Sequence, residues 1–195
     1  LSVTASSPEL TDTEACAVDA EMIAKVISET LAEDFEVPVS GANGTDISWS
    51  SSDEDALCFT GGKALVKRPD SAVGDKDITI TAIVTRGLCS QSVIYKTKIL
   101  AVSDEEAVDA ALAACVLQNQ NSVTGNLSLA KSGLYDVSFK WRSSDTTIIS
   151  DSGVVDRTRL SYDKNVMLTL TGTKNGVSKE KKFNITVKAG SGSTG

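Results

Sequence analysis

The segment Ile47-Ser48-Trp49-Ser50-Ser51-Ser52-Asp53 returns as Phe139-Lys140-Trp141-Arg142-Ser143-Ser144-Asp145, 92 positions later. A recurrence at that spacing is the signature of a duplicated module, and it decides how the rest of the chain is read. At the same offset Thr11-Asp12-Thr13-Glu14 matches Ser103-Asp104-Glu105-Glu106. Further on, Ile78, Ile80, Ala82 and Val84 match Val166, Leu168, Leu170 and Gly172 at an offset of 88, as do Tyr95, Thr97 and Ile99 with Phe183, Ile185 and Val187. The change of offset places a longer loop in the first copy, expected around Lys67 to Lys76.

Each matched block has a physical reading. Thr11-x-x-Glu14 and Ser103-x-x-Glu106 are capping boxes, in which a hydroxyl and a carboxylate satisfy free backbone N–H groups where a helix begins. In the second copy Val108, Ala111, Leu112 and Cys115 recur at helical spacing, and in the first the matching positions are Cys16, Asp19, Ala20 and Ile23, extended by Val26, Ile27 and Leu31. The expected helices run from Thr13 to Leu31 and from Asp104 to Leu117.

The period then switches to two. Strands are expected at Val37 to Ser40, Asp46 to Ser50, Ser122 to Leu129 and Val137 to Arg142. Asp77 to Thr85 and Ser92 to Leu100 form a hairpin around Arg86-Gly87-Leu88-Cys89. Asn165 to Thr173 and Ser178 to Lys188 form another around Lys174-Asn175-Gly176, where Asn-Gly is a strong turn signal. The fold class is mainly β: two tandem antiparallel sandwiches, each preceded by one packed helix. The divisions are 1–10, an extended segment; 11–102, the first domain; 103–189, the second; and 190–195, a Gly/Ser linker or tail. No Gly or Pro run separates the copies, so the junction is expected to be short and stiff.

Composition narrows the chemistry. The 195 residues are 41% hydrophobic, with a formal charge of −7 and no basic stripe, which disfavours nucleic acid and anionic membranes as partners. No apolar run reaches the roughly 20 residues that span a bilayer. The chain starts at Leu1 without a leader, as a processed or excised fragment would. Histidine is absent, which removes Ser-His-Asp and Cys-His catalysis. The string Ser128 to Lys131 reads S-x-x-K but sits at a strand end, so no catalytic, cofactor-binding or metal residue is assigned.

Trp49 and Trp141 read as core residues of equivalent strands, because alternation puts them with Ile47 and with Val137 and Phe139. The competing reading is a sugar-stacking platform, for which Phe59, Tyr135 and Tyr162 are the other candidates. The acidic runs at 53–55, 70–77 and 151–156 read as solvated turns, with calcium as the alternative. Cys16, Cys58, Cys89 and Cys115 show no metal-ligand spacing. Cys58 and Cys89 are a possible disulfide, although four cysteines allow three pairings and the sequence does not choose among them.

The order of helix, Trp-Ser-Ser-Ser-Asp and paired alternating strands ending in Asn184-Ile185-Thr186-Val187 resembles the atrophied bacterial immunoglobulin-like domain. In the second copy the resemblance runs through Thr124 to Leu127, Trp141 to Asp145, Ile149 to Val154 and Phe183 to Val187. In the first it runs through Trp49 to Asp53 and Val66 to Pro69. The resemblance implies tandem Ig-like modules of a secreted or cell-surface bacterial protein, located outside the cell. Their implied role is structural or spacing, with no enzymatic activity. The alternatives are a carbohydrate-binding or adhesive module, with glycans or other surface proteins as partners, and a self-assembling filament subunit. In the last, Leu1 to Ala5 would add as a strand to a neighbour.

Overall fold

The computed structural model describes residues 9–190. The proposed Leu1 to Ala5 strand and residues 191–195 of the tail lie outside them. The chain divides into two compact units between Val102 and Ser103, and each is described by itself.

The first unit opens with α1 (Asp12–Ile23). Glu14 N–H donates to the Thr11 hydroxyl at 3.3 Å, and Thr11 N–H donates to the Glu14 carboxylate at 2.9 Å. Seven strands follow: β1 (Thr30–Leu31), β2 (Phe35–Glu36), β3 (Asp46–Ser51), β4 (Leu57–Thr60), β5 (Lys63–Val66), β6 (Lys76–Arg86) and β7 (Cys89–Ile99). They form a sheet of order β1-β7-β6-β3 and a smaller one of order β2-β5-β4. Inward residues of both sheets meet the inner face of α1 in one core, which includes Ile23, Ile47, Leu57, Ala64, Ile80 and Ile99. The unit is therefore a sandwich with a helix packed against the β6–β7 hairpin of its larger sheet.

The second unit repeats the plan with less regular structure. It contains α2 (Asp104–Ala114), a single 3-10 turn (Leu134–Asp136), β8 (Ser138–Ser143), β9 (Lys164–Lys174) and β10 (Val177–Val187). The sheet order is β10-β9-β8. An isolated antiparallel bridge between Ile149 and Val155 stands where β4 and β5 stand in the first unit.

The expected helices are longer than those observed. α1 stops at Ile23; Ile27 turns inward against the core, and Thr30–Leu31 pairs parallel with the end of β7. Tertiary bonds outcompete helical ones here, because the Tyr95 hydroxyl donates to the Ile23 carbonyl and Thr97 Oγ1 donates to the Ser28 carbonyl at 2.8 Å. The Ile23 carbonyl also accepts from Val26 N–H at 2.9 Å, so the helix closes in a turn there. The second unit meets the same need differently. Phe183 replaces the tyrosine, and Lys181 Nζ donates to the carbonyls of Leu112 and Cys115, both at 2.8 Å. A cation at a helix C-terminus also complements the helix dipole.

Two expected strands are not regular. Residues 37–40 form a single bridge, Ser40 with Asp46, since Pro38 has no N–H to donate. Residues 122–129 form one bridge, Val123 with Val187. The extra length of the first copy also lies elsewhere than expected. Lys67 N–H donates to the Ala56 carbonyl and Asp156 N–H to that of Ile148, both at 2.9 Å, which aligns the two arms. Eight residues separate Leu57 from Val66, but five separate Ile149 from Val155. Most of the difference is therefore in the β4–β5 hairpin and not in residues 67–76.

Packing between helix and sheet follows a volume exchange. In the first unit Ala20 on α1 accompanies Val84 on β6, both buried. At the matching positions the second unit has Leu112 and Gly172, and a Cβ on Gly172 would lie 3.1 Å from Leu112 Cδ2. The large side chain has moved from strand to helix at the same layer. Gly172→Val is expected to overpack the second unit and destabilise it by about 1–3 kcal/mol. Adding Leu112→Ala is expected to recover most of that loss. Denaturant unfolding of the single and double variants checks the pair; strict additivity of their effects would refute the exchange.

Candidate functional site

The residues proposed as ring platforms sit in three settings. Trp49 is half-buried on β3, stacked at 5.8 Å from both Phe59 and Tyr95. Trp141 on β8 is 7% exposed and lies 5.4 Å from the Phe183 ring. Both indoles are committed through their N–H groups: Trp49 Nε1 donates to the Pro38 carbonyl at 2.7 Å and Trp141 Nε1 to the Ala130 carbonyl at 2.8 Å. A buried indole N–H needs such a partner, and here the bond also pins an irregular segment to a regular strand. The open rings are Tyr135 and Tyr162, the latter 68% exposed.

The acidic runs are organised by their own turns. Asp53 accepts from Lys76 Nζ and from Ala56 N–H, and the lysine bond holds its carboxyl below the usual range. Asp145 accepts from the hydroxyl and N–H of Thr147, and Asp156 likewise from Thr158; these bonds lower both carboxyls. Asp151 accepts from Ser143 N–H at 2.8 Å. These are turn contacts of the kind expected from Asp near free N–H groups. Among the described residues no three acidic or cysteine side chains converge as metal ligands would.

One polar device present in both copies was missed in the sequence. Arg68 donates from Nε to the Leu100 carbonyl at 3.0 Å and from Nη2 to that of Ala101 at 2.7 Å. Arg157 does the same to Lys188, at 2.7 Å, and to Ala189. Ala101 N–H donates to Asp75 at 2.9 Å, and Ala189 N–H to Asp163 at 3.0 Å. An arginine and an aspartate thus hold the final residues of each module, where the ladder has run out and backbone groups need partners. The repeat of Arg68-Pro69 as Arg157-Thr158 was the available signal, obscured because the offset there is neither 92 nor 88.

The four cysteines are thiols. Cys58 and Cys89, the possible disulfide of the sequence, lie on strands of different sheets. Cys58 pairs across β4–β5 with Leu65, between the inward Leu57 and Phe59, so it points away from the core. Cys89 begins β7 in the other sheet, on the inward side shared with Val93 and Tyr95. Its thiol neighbours Cys16, whose own thiol is pushed up by burial and, to a lesser extent, by Cys89.

Two surface hollows differ in their lining. A cleft of about 320 Å³ beside Val116, Asn119, Val123 and Asn126 is lined by no ionisable side chain. A more open hollow of about 470 Å³ carries Glu29, Asp77, Lys96 and Lys98, with Lys98 paired to Asp77 at 3.5 Å.

The buried carboxylate of the first unit is Asp19 on α1, 1% exposed. It accepts from Thr45 Oγ1 at 2.7 Å, Asn43 Nδ2 at 2.6 Å and Asn43 N–H at 3.1 Å. Gly41 passes so close that a Cβ there would lie 2.2 Å from the carboxylate. Burial alone would raise this acid, but the bonds from Thr45 and Asn43 outweigh it, and its carboxyl is lowered. A group lowered on folding contributes stability above its unfolded value near pH 4, and loses it as pH falls through the folded value. The second unit has Ala111 at this position. Asp19→Asn is therefore expected to flatten the acid-side slope of the first unit's thermal midpoint between about pH 5 and pH 2. Calorimetry across that range checks it; an unchanged slope would reject the assignment.

No curated protein matches the chain by sequence. Among solved structures, the extracellular cadherin domains 1–5 of protocadherin gamma B2 match with 18% identity and a TM-score of 0.31 over 77% of this chain and 34% of that one. The chain thus spans about a third of that fragment's length. Mouse protocadherin-24 domains EC1–3 match with 13% identity and a TM-score of 0.29, over 84% of this chain and 67% of that one. An endo-fucoidan hydrolase of glycoside hydrolase family 107 matches with 12% identity and a TM-score of 0.31, over 83% and 28%. The sequence profile of the atrophied bacterial Ig domain matches residues 13–102 and again residues 105–190. This chain belongs to the atrophied bacterial Ig domain family, with two consecutive members making up almost its whole length.

Proposed function

We propose that the chain is a non-catalytic structural module of a secreted or cell-surface bacterial protein, spacing other parts of that protein. The observation that carries this reading is how the polar side chains are used. The repeated Trp, Arg and Asp residues bond to backbone groups of their own module. Among the described residues every buried side-chain nitrogen and oxygen has a partner. A catalytic centre needs groups held in reserve for substrate, with perturbed protonation and mutual reach. Histidine is absent from the sequence, and the aspartates instead stabilise turns and strand ends. Among the described residues no helix is long and apolar enough to cross a membrane, which is compatible with an extracellular location. Membership of this family supports the same reading.

Stretching the tethered chain tests the role. A spacer of two independent modules is expected to unfold in two steps, each releasing about 30 nm, the contour of roughly 90 extended residues. A single step for the whole chain, or extension without resistance, would overturn the reading.

A second reading, glycan adhesion, is favoured by one observation, the ring of Tyr162 at 68% exposure. An open aromatic face suits a sugar ring because it buries apolar area without a competing intramolecular contact. Under that reading Tyr162→Ala abolishes glycan-array binding while the circular dichroism spectrum stays unchanged. Absence of binding by the unmodified chain, or binding that survives the substitution, rejects Tyr162 as the platform.

A further inference from the structure

α1 lies with one face against the tip of the β6–β7 hairpin. Asp12 and Cys16 are one helical turn apart and share that face. Arg86 Nε approaches Asp12 Oδ1 at 3.3 Å, and a Cβ on Gly87 would lie 2.1 Å from Asp12 Oδ2. These contacts fix the helix over the turn and bring the next residue of the face, Cys16, to Cys89. Arg86 and Cys89 are directly paired where the hairpin closes. The Cys16 thiol has the Cys89 thiol and the Arg86 N–H as neighbours. Cys16 is fully buried and Cys89 half-buried.

The second module shows what the position ordinarily holds. The matching residues are Val108 on α2 and Val177, the first residue of β10. Val108 is fully buried. Between the copies, both members of one helix–hairpin contact differ together, Val with Val in one and Cys with Cys in the other. An isolated cysteine explains neither side of that difference.

We infer that Cys16 and Cys89 are a disulfide site, which staples α1 to the β6–β7 hairpin when the first module meets an oxidising disulfide. The chemistry is thiol–disulfide exchange with an external disulfide, either a small molecule such as oxidised glutathione or a protein oxidoreductase. Cys89 is the accessible sulfur, so its thiolate attacks the external disulfide, forms a mixed disulfide and releases one thiol. Cys16 loses its proton, attacks the Cys89 sulfur and releases the second thiol. Two protein thiols are oxidised and one external disulfide is reduced to two thiols. Burial, together with the neighbouring Cys89 thiol, pushes the Cys16 thiol up, which suits a resolving partner better than an entry point. The bond would close 73 positions of chain, and a long loop constrains the unfolded state strongly. The inference is independent of the spacer reading.

The test treats the full chain with oxidised glutathione under native conditions, then maps alkylated peptides by mass spectrometry. The expected result is a peptide containing Cys16 joined to one containing Cys89, with an intact mass lower by two hydrogen atoms. The thermal midpoint of the first module is expected to rise by roughly 10 °C and to return on reduction. The double variant Cys16→Val, Cys89→Val reproduces the second module's pair, so it is expected to fold and to lose this redox response. A link that includes Cys58 or Cys115, a link between chains, glutathione retained on Cys89, or four alkylatable thiols after treatment would overturn the inference. So would a redox-dependent midpoint that persists in the double variant.

Discussion

Each module depends on covering the inner face of one long hairpin. β6 with β7, and β9 with β10, are strands of eleven residues paired over their whole length. Their inward rows, Ile78, Ile80, Ala82 and Val84 or Val166, Leu168 and Leu170, are buried almost completely. A two-stranded ribbon is marginal in water unless that face is packed. The helix covers one end of the face and the irregular second layer covers the rest. The second layer shrinks from the three strands β2-β5-β4 in the first unit to a single bridge in the second, while side chains still fill the space.

This constraint explains which features are common to the two copies and which are exchanged. The indole bond to the Pro38 or Ala130 carbonyl and the arginine bonds at the module's end are common, because they satisfy backbone groups that no ladder reaches. Volume may be traded so long as each layer is filled, as between Ala20 with Val84 and Leu112 with Gly172. The helix C-terminus needs a donor but not a particular one, and Tyr95 or Lys181 supplies it. The buried Asp19 belongs to the same logic, since an acid is tolerated there only with Thr45 and Asn43 beside it. Ala111 avoids the requirement altogether.

Functionally, the consequence is a module whose buried side-chain polar groups all have partners among the described residues. Turn aspartates are engaged by Thr147, Thr158 and Ala56. What departs from the common plan is an open tyrosine in the second unit and, in the first, cysteines where the second has Val108 and Val177.

The sequence by itself determined the duplication, the capped helix starts, the hairpins and the absence of histidine-based chemistry. All of these are local or periodic: a capping box spans four residues, and strand alternation needs only neighbours. The tertiary structure alone decided where α1 ends, because Tyr95 and Thr97 reach carbonyls some seventy positions away in the chain. It likewise decided that residues 37–40 and 122–129 are held by single bridges and side-chain bonds instead of ladders. It also decided which cysteines meet. Spacing made Cys58 and Cys89 look available to each other, yet strand alternation turns Cys58 outward, and helix docking through Arg86 and Asp12 brings Cys16 to Cys89. Such contacts depend on how a helix is seated on a sheet, and no local pattern encodes that placement.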